Sequence, residues 1–128
     1  MNTKTTRKQI LVVEDDNDLQ ALVGLSLKSA GYDVFHATNG KEAKEQLKTL
    51  RADLIILDLM MPVLDGIVFL RWLRREAQLE VPVLVLTAIN SPDAKREVLE
   101  LGVSEVVFKP IEPEEVVEHV NACSSRCL

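Results

Sequence analysis

Short apolar runs alternate along the chain with longer segments in which apolar positions recur at helical spacing. The short runs are rich in β-branched residues and show no alternation of apolar and polar positions. Such runs are typical of strands that are buried on both faces, and they therefore favour a parallel sheet. The predicted strands are Ile10–Val13, Val34–Phe35, Leu54–Leu57, Val83–Leu86 and Val106–Phe108.

The segments between these runs carry the start and stop signals of helices. Polar or proline residues open them, and glycines follow two of them, where a left-handed turn would end a helix. Asn17 with Gln20, and Asn39 with Glu42, have the spacing of an N-cap and its capping partner. The predicted helix starts are Asn17, Asn39, about Gly66, Ser91 with Pro92, and Pro113, and the predicted ends include Gly31, Ala77 and Gly102.

Five strands that alternate with five helices predict an α/β domain. Because crossovers between parallel strands are right-handed, the expected fold is a doubly wound five-stranded parallel sheet with helices on both faces. We expect one domain over residues 8–122, with flexible termini at 1–7 and 123–128. Ligands of such sheets bind beyond the carboxyl ends of the strands, so the candidate chemistry should lie there.

Polar and charged residues stand at the ends of four of the predicted strands. Glu14 and Asp15 follow the first strand, Asp58 the third, Thr87 the fourth and Lys109 the fifth. In a parallel sheet these ends share one edge, so the side chains should converge. Asp16, which follows the acidic pair, has an equally good interpretation as the N-cap of the next helix.

The predicted cluster has a definite chemistry. Carboxylates that lie close together repel one another, and a cation is the usual resolution. Oxygen ligands suit Mg²⁺. A carboxylate can also attack phosphorus to form an acyl phosphate, while a lysine and a hydroxyl stabilise the phosphoryl oxygens.

Composition excludes several classes of protein. The net charge of −5 argues against a bare nucleic-acid binder, and 47% hydrophobic residues suffice for a folded core. No apolar run approaches the roughly 18 residues of a membrane span. The polar first nine residues show no secretion signal. We therefore expect a cytoplasmic protein that binds neither a membrane nor, through this chain, nucleic acid.

Five motifs in order resemble the receiver family of two-component signalling, over roughly residues 8 to 122. They are Ile10–Asp16, Leu57–Pro62, Asp65–Gly66, Leu86–Ala88 and Phe108–Pro110. The resemblance implies a flavodoxin-like receiver fold and a phosphoacceptor switch that is not an enzyme acting on a separate substrate. The partners it implies are a histidine kinase or phosphotransfer protein and an unknown downstream protein.

The resemblance also implies a role for each matching residue. Asp58 would accept the phosphoryl group, and Thr87 and Lys109 would contact it. Mg²⁺ would be held by Glu14, Asp15, Asp58 and the backbone carbonyl of Met60. The peptide bond between Lys109 and Pro110 would be cis.

One position departs from the family pattern. Three residues before the lysine, the family usually has Tyr or Phe, which turns inward on activation, whereas this chain has Val106. Phe108 lies two positions further on, on the same face of the predicted strand. We still expect phosphorylation to change the surface of the fourth helix, fifth strand and fifth helix, but with a smaller shift.

Two other functions fit the same fold class. An aspartyl-nucleophile phosphatase would need a general acid two residues after Asp58, where this chain has Met60, which cannot transfer a proton. A flavin-binding module would need a phosphate-cradling loop after the first strand. The run Glu14–Asp16 would instead repel a phosphate.

Overall fold

The structure, a computed structural model, describes residues 7–59, 65–88 and 91–126. Strands and helices alternate in it as the apolar pattern predicts. A π-helical turn, Trp72–Glu76, continues the third helix. The elements are β1 (Gln9–Val13), α1 (Asn17–Ser29), β2 (Asp33–Ala37), α2 (Gly40–Gln46), β3 (Leu54–Asp58), α3 (Gly66–Arg71), β4 (Val83–Thr87), α4 (Pro92–Glu100), β5 (Glu105–Phe108) and α5 (Pro113–Arg126).

All five strands form one parallel sheet in the order β2-β1-β3-β4-β5. The order reverses beside β1, so that β1 and β3 lie next to each other near the centre. This arrangement confirms the predicted doubly wound sheet. The carboxyl ends of β1, β3, β4 and β5 therefore share one edge.

Helices cover both faces of the sheet. On one face, α2, α3 and α4 bury a core that includes Phe69, Leu70 and Val98. On the other face, α1 and α5 contribute Val23, Leu27, Val116, Val120 and Cys123. Every residue of β3 and β4 is buried, which is why both sequences are apolar up to their last residues, Asp58 and Thr87.

The first helix has a different N-cap from the predicted one. Asp16, not Asn17, has the extended cap conformation, and its Oδ1 accepts hydrogen bonds from the N–H groups of Asp18 and Leu19. Asp and Asn are about equally good N-caps, so two adjacent candidates cannot be separated by residue type alone. The predicted pairing of Asn17 with Gln20 is therefore wrong, and the N-cap interpretation of Asp16 is confirmed.

The other predicted helix signals are confirmed. Asn39 caps α2, because its Oδ1 accepts a hydrogen bond from the N–H of Glu42. Ser91 caps α4 in the same way, through a hydrogen bond from the N–H of Ala94 to its hydroxyl oxygen. Gly31 and Gly102 have φ angles of +101° and +78°, the left-handed conformation that side chains disfavour. These glycines therefore follow α1 and α4 for a conformational reason.

Arg74, in the π-helical turn, ties together three segments. Its guanidinium donates to the carbonyls of Leu79 and Val81, which precede β4, and to those of Leu101 and Gly102, which follow α4. The four N···O distances are 2.8–3.0 Å. Burial lowers the pKa of Arg74, although the charge of Glu80 opposes this shift.

The last helix of the domain, α5, is also the longest one that the structure describes, from Pro113 to Arg126. Residue 122 falls inside α5, which continues to Arg126 and fully buries Cys123 against the sheet. Within residues 7–59, 65–88 and 91–126, no helix has both the length and the apolar character that crossing a membrane requires.

Candidate functional site

The predicted site residues meet at the carboxyl edge of the sheet. Glu14 and Asp15 follow β1, Asp58 ends β3, Thr87 ends β4 and Lys109 follows β5. β3 lies between β1 and β4, so Asp58 stands between the acidic pair and Thr87. Met60, the remaining predicted ligand, lies outside the residues that the structure describes.

Lys109 joins the carboxylates of two strands. Its Nζ lies 2.9 Å from Glu14 Oε1 and 3.3 Å from Asp58 Oδ2. The two carboxylates and Thr87 are buried, and the lysine side chain is 21% exposed. Hydrogen bonds to charged groups strengthen in such a poorly hydrated setting, so Lys109 fixes the relative positions of β1 and β3 side chains.

Three carboxylates form a compact group at this edge. Glu14, Asp15 and Asp58 each offer an oxygen, and these oxygens lie within 4.8 Å of one another. Glu14 and Asp58 are buried, whereas Asp15 is exposed to solvent. The group is therefore open on the side of Asp15, where an ion or a phosphoryl group from solution can enter.

The electrostatics of the group favour additional positive charge. Burial raises the pKa of Glu14, hydrogen bonding to Asp58 raises it further, and Lys109 opposes the shift. Burial acts to lower the pKa of Lys109, but its hydrogen bond to Glu14 and the nearby carboxylates outweigh burial and raise it. One ammonium thus only partly offsets the repulsion among the carboxylates.

The donor set fits a small divalent cation. All three side chains supply oxygen, as Mg²⁺ prefers, and the open side leaves space for the waters that Mg²⁺ retains. Glu14 Oε2 is buried and accepts no hydrogen bond from any described residue. Such an oxygen is costly to bury unless a cation or water reaches it.

Two residues that sequence reasoning did not place in the site shape its backbone. Gln20 donates from Nε2 to the carbonyls of Glu14 and Ala37, at 3.1 Å each. A Cβ atom at Gly66 would lie 2.6 Å from the Asp58 carbonyl oxygen. The Asp65–Gly66 motif is a sequence signal for Gly66, whereas the spacing of Gln20 from Asn17 predicts only a role in helix capping.

The end of β5 has the predicted peptide geometry. The Lys109–Pro110 bond is cis, as the family resemblance implies, and the N–H of Lys109 donates to the carbonyl of Thr87 at 2.8 Å. Val106 is partly buried and packs against the core cluster that includes Val98 of α4. Phe108 is 38% exposed, and its ring centroid lies 5.7 Å from Lys95 Nζ on α4.

Comparison with known sequences identifies relatives that are about twice as long. The chain is 41% identical to the alkaline phosphatase synthesis transcriptional regulatory protein PhoP of Bacillus subtilis, over 93% of the chain and 49% of that protein. It is 34% identical to the phosphate regulon transcriptional regulatory protein PhoB of Pseudomonas aeruginosa, over 93% of the chain and 52% of that protein. The chain thus spans about half the length of these relatives.

Solved structures of similar length share the fold. The receiver domain of the Francisella response regulator 1452 superposes with a TM-score of 0.86 at 32% identity, covering 95% of this chain and 100% of that one. The chemotaxis protein CheY4 of Vibrio cholerae gives 0.84 at 32% identity, covering 91% and 98%. The response regulator receiver domain family matches residues 10–121. The chain therefore belongs to the response regulator receiver domain family of two-component signalling systems.

Proposed function

We propose that Asp58 accepts a phosphoryl group and that the resulting acyl phosphate switches the surface of the domain. The observation that carries this proposal is the position of Lys109, whose ammonium contacts both Asp58 and Glu14 at the edge of the sheet. A phosphoryl group on Asp58 would bring negative oxygens beside that ammonium. Lys109 would stabilise them as it now stabilises the carboxylates.

Asp58 is the best nucleophile among the three carboxylates. It stands on β3, with the acidic pair of β1 on one side and Thr87 of β4 on the other. A phosphoryl group on Asp58 can therefore reach the site's hydroxyl and its ammonium, as well as a cation held by Glu14 and Asp15. Asp15 is exposed and lies at the rim, where fewer groups could surround a phosphoryl group.

The reaction that we propose transfers the phosphoryl group from a phosphohistidine. An oxygen of Asp58 attacks phosphorus, an O–P bond forms and the P–N bond breaks. The electron pair of the broken bond stays on the imidazole nitrogen, which then binds a proton from solvent. The donor would be a histidine kinase or phosphotransfer protein, in the cytoplasm, and the receiver domain would extend over about residues 8–122.

Mg²⁺ is the cation that we expect at this site. Glu14, Asp15 and Asp58 would hold it, together with the carbonyl of Met60. When bound, Mg²⁺ supplies positive charge that offsets the charge of the phosphoryl oxygens. Lys109 and Thr87 contribute the remaining stabilisation from the protein side, as a cation and a hydroxyl donor.

The proposed output surface is the face formed by α4, β5 and α5. Thr87 and Lys109 adjoin this face, because the chain leads from Thr87 to α4 and from Lys109 to α5. Phe108 connects β5 to α4 through its contact with Lys95. A change at the phosphoryl site would shift this face between existing conformations and so alter the binding of a downstream protein.

Intact mass after incubation with Mg²⁺ and a small acyl phosphate donor tests the proposal. The parental protein should gain one phosphoryl group, and Asp58→Asn should gain none. Asp65→Asn is a matched control, because Asp65 caps α3 through the N–H of Val68 and asparagine also caps well. Full labelling of Asp58→Asn would refute the assignment of Asp58.

The same samples separate the switch from an aspartyl-nucleophile phosphatase. A switch should retain its phosphoryl group, and the rate of phosphate release should not exceed the rate at which the phosphorylated protein itself decays. Sustained turnover of a phosphoester substrate, faster than that decay, would instead support the phosphatase.

Backbone amide spectra with and without a phosphoryl mimic test the proposed output surface of α4, β5 and α5. Changes confined to α2 and α3 would refute it.

A further inference from the structure

Gln20 makes two hydrogen bonds beside the acidic pair. Its partly buried side chain, on α1, donates from Nε2 to the carbonyls of Glu14 and Ala37, both at 3.1 Å. The carbonyl of Ala37 also accepts from the N–H of Glu14, at 3.0 Å. Gln20 therefore braces the point where β1 and β2 end and the chain turns into α1.

The carbonyl of Glu14 belongs to the peptide bond that joins Glu14 to Asp15. In an extended strand, consecutive side chains point to opposite faces of the sheet, so neighbouring carboxylates would normally point apart. Here, carboxylate oxygens of the two residues lie within 4.8 Å of one another and of Asp58. β1 ends at Val13, so the peptide between Glu14 and Asp15 lies beyond the regular strand, and its carbonyl is the group that Gln20 binds.

We propose that Gln20 is a positioning residue that orients the Glu14–Asp15 peptide, so that both carboxylates face the same divalent cation. The inference rests on the proposed function, because it assigns Gln20 to the cation site of the phosphoacceptor. Gln20 would act through the backbone carbonyls to which it donates, without direct contact with the phosphoryl group or the cation. Its effect should appear in cation affinity, since partners that orient metal ligands affect affinity strongly.

The chain offers a matched residue for a purely structural role. Gln46 of α2 donates from its own Nε2 to the carbonyl of His36, the neighbour of Ala37 on β2. Both glutamines therefore connect a helix to the end of β2. Of these two glutamines, Gln20 alone also donates to the carbonyl of Glu14. Comparing Gln20→Met with Gln46→Met therefore distinguishes a general contribution to the stability of β2 from an effect on the orientation of the Glu14 and Asp15 carboxylates.

The test measures melting temperature against Mg²⁺ concentration, without a phosphoryl donor, and then the rate of labelling against Mg²⁺ concentration. Gln20→Met should raise the half-saturating Mg²⁺ concentration by about 10-fold or more. Its labelling rate at saturating Mg²⁺ should return towards the parental rate, because Asp58, Thr87 and Lys109 are unchanged. Gln46→Met should lower the melting temperature but keep the parental half-saturation.

A measurement on the parental protein covers the case in which Gln20→Met does not fold. The side-chain amide signals of Gln20 should shift during a Mg²⁺ titration with the same midpoint as the backbone amide of Asp15. Those of Gln46 should stay in place. A Gln20 side chain that does not respond while the Asp15 amide does would overturn the positioning role.

The outcomes also separate this role from the proposed function. A parental protein that responds to Mg²⁺, with an unchanged half-saturation in Gln20→Met, overturns the role of Gln20 and leaves the cation site intact. A parental protein whose melting temperature and spectra ignore Mg²⁺ overturns the cation site, and the role of Gln20 with it.

Discussion

The backbone of Gly66 approaches that of Asp58 so closely that a Cβ atom at Gly66 would lie 2.6 Å from the Asp58 carbonyl oxygen. It would lie equally close to the α-carbon of Leu59. The N–H of Gly66 also donates to the carbonyl of Leu59, at 3.1 Å. The first residue of α3 therefore rests directly on the segment that carries the proposed phosphoacceptor.

Gly66→Ala should slow the phosphorylation of Asp58 as well as destabilise the fold. The methyl group must displace either α3 or the peptide after Asp58, and such overpacking costs about 1–3 kcal/mol. Labelling by an acyl phosphate donor, corrected for the folded fraction, measures the effect on Asp58. Gly24→Ala is the control, because its methyl group would meet the His36 ring at 2.7 Å, in contact with neither Asp58 nor Leu59. Equal corrected rates in the two variants would contradict the prediction.

Mg²⁺ should stabilise the folded protein by relieving repulsion among the three carboxylates. A ligand at about 100 times its dissociation constant contributes about 2.7 kcal/mol, and the rise in melting temperature should shrink in Asp15→Asn. Asp16→Asn is the matched control. It removes the adjacent carboxylate, but asparagine can still accept the capping hydrogen bonds from Asp18 and Leu19. An identical rise in Asp15→Asn and the parental protein would exclude Asp15 as a ligand.

Arg74→Met should lower the free energy of unfolding by about 2–3 kcal/mol. A hydrogen bond to a charged group contributes about 1.5–3 kcal/mol, and the partial exposure of Arg74 makes the total of its four bonds smaller than their simple sum. The variant leaves four carbonyls around α4 and β4 without their guanidinium partner. Arg75→Met, at the adjacent exposed position, should change stability by about 0.5 kcal/mol or less. Urea unfolding of both variants measures the difference, and equal midpoints would show that the Arg74 contacts are dispensable.

His36 should make a destabilising contribution in mild acid, opposed by Glu14, whose raised pKa favours the folded state as the pH falls. Burial lowers the pKa of this imidazole below 6.5, Lys28 lowers it further, and its Nδ1 is buried with no hydrogen-bond partner among the described residues. Above about pH 6.5 both the folded and unfolded states hold a neutral imidazole. Below that pH the unfolded chain binds the proton first, so the free energy of unfolding falls, by at most about 1.4 kcal/mol per pH unit.

Unfolding free energies between pH 7 and 5 test this expectation. The free energy of unfolding of His36→Gln should fall less between pH 7 and pH 5 than that of the parental protein, because the variant lacks the buried imidazole. If His36→Gln and the parental protein show the same slope, the buried imidazole does not control the pH dependence.

The strands were predictable because burial on both faces leaves a simple signature in the sequence. Ile55, Ile56 and Leu57 are all buried, so the run that contains them has no polar position. The convergence of Glu14, Asp58 and Lys109 was predictable for a related reason. A parallel sheet brings the residues after its strands to one edge, whatever their separation along the chain.

Other features depend on contacts that residue types do not encode. Asp16 and Asn17 are equivalent as caps until the path of the chain after β1 is known. Gln20 reaches two carbonyls, one of them on β2, and a capping pattern gives no indication of such a partner. The π-helical turn that carries Arg74 likewise lies within a segment whose apolar spacing predicts an uninterrupted helix to Ala77.

The contact between Lys109 and Glu14 joins residues 95 positions apart in the chain. During synthesis the acidic residues after β1 and β3 emerge from the ribosome well before the lysine that follows β5. An unfinished chain therefore carries the carboxylates without their ammonium. The charge balance of the site is reached only after the last strand has joined the sheet, so a nascent or truncated chain that lacks β5 also lacks one member of the proposed phosphoacceptor site.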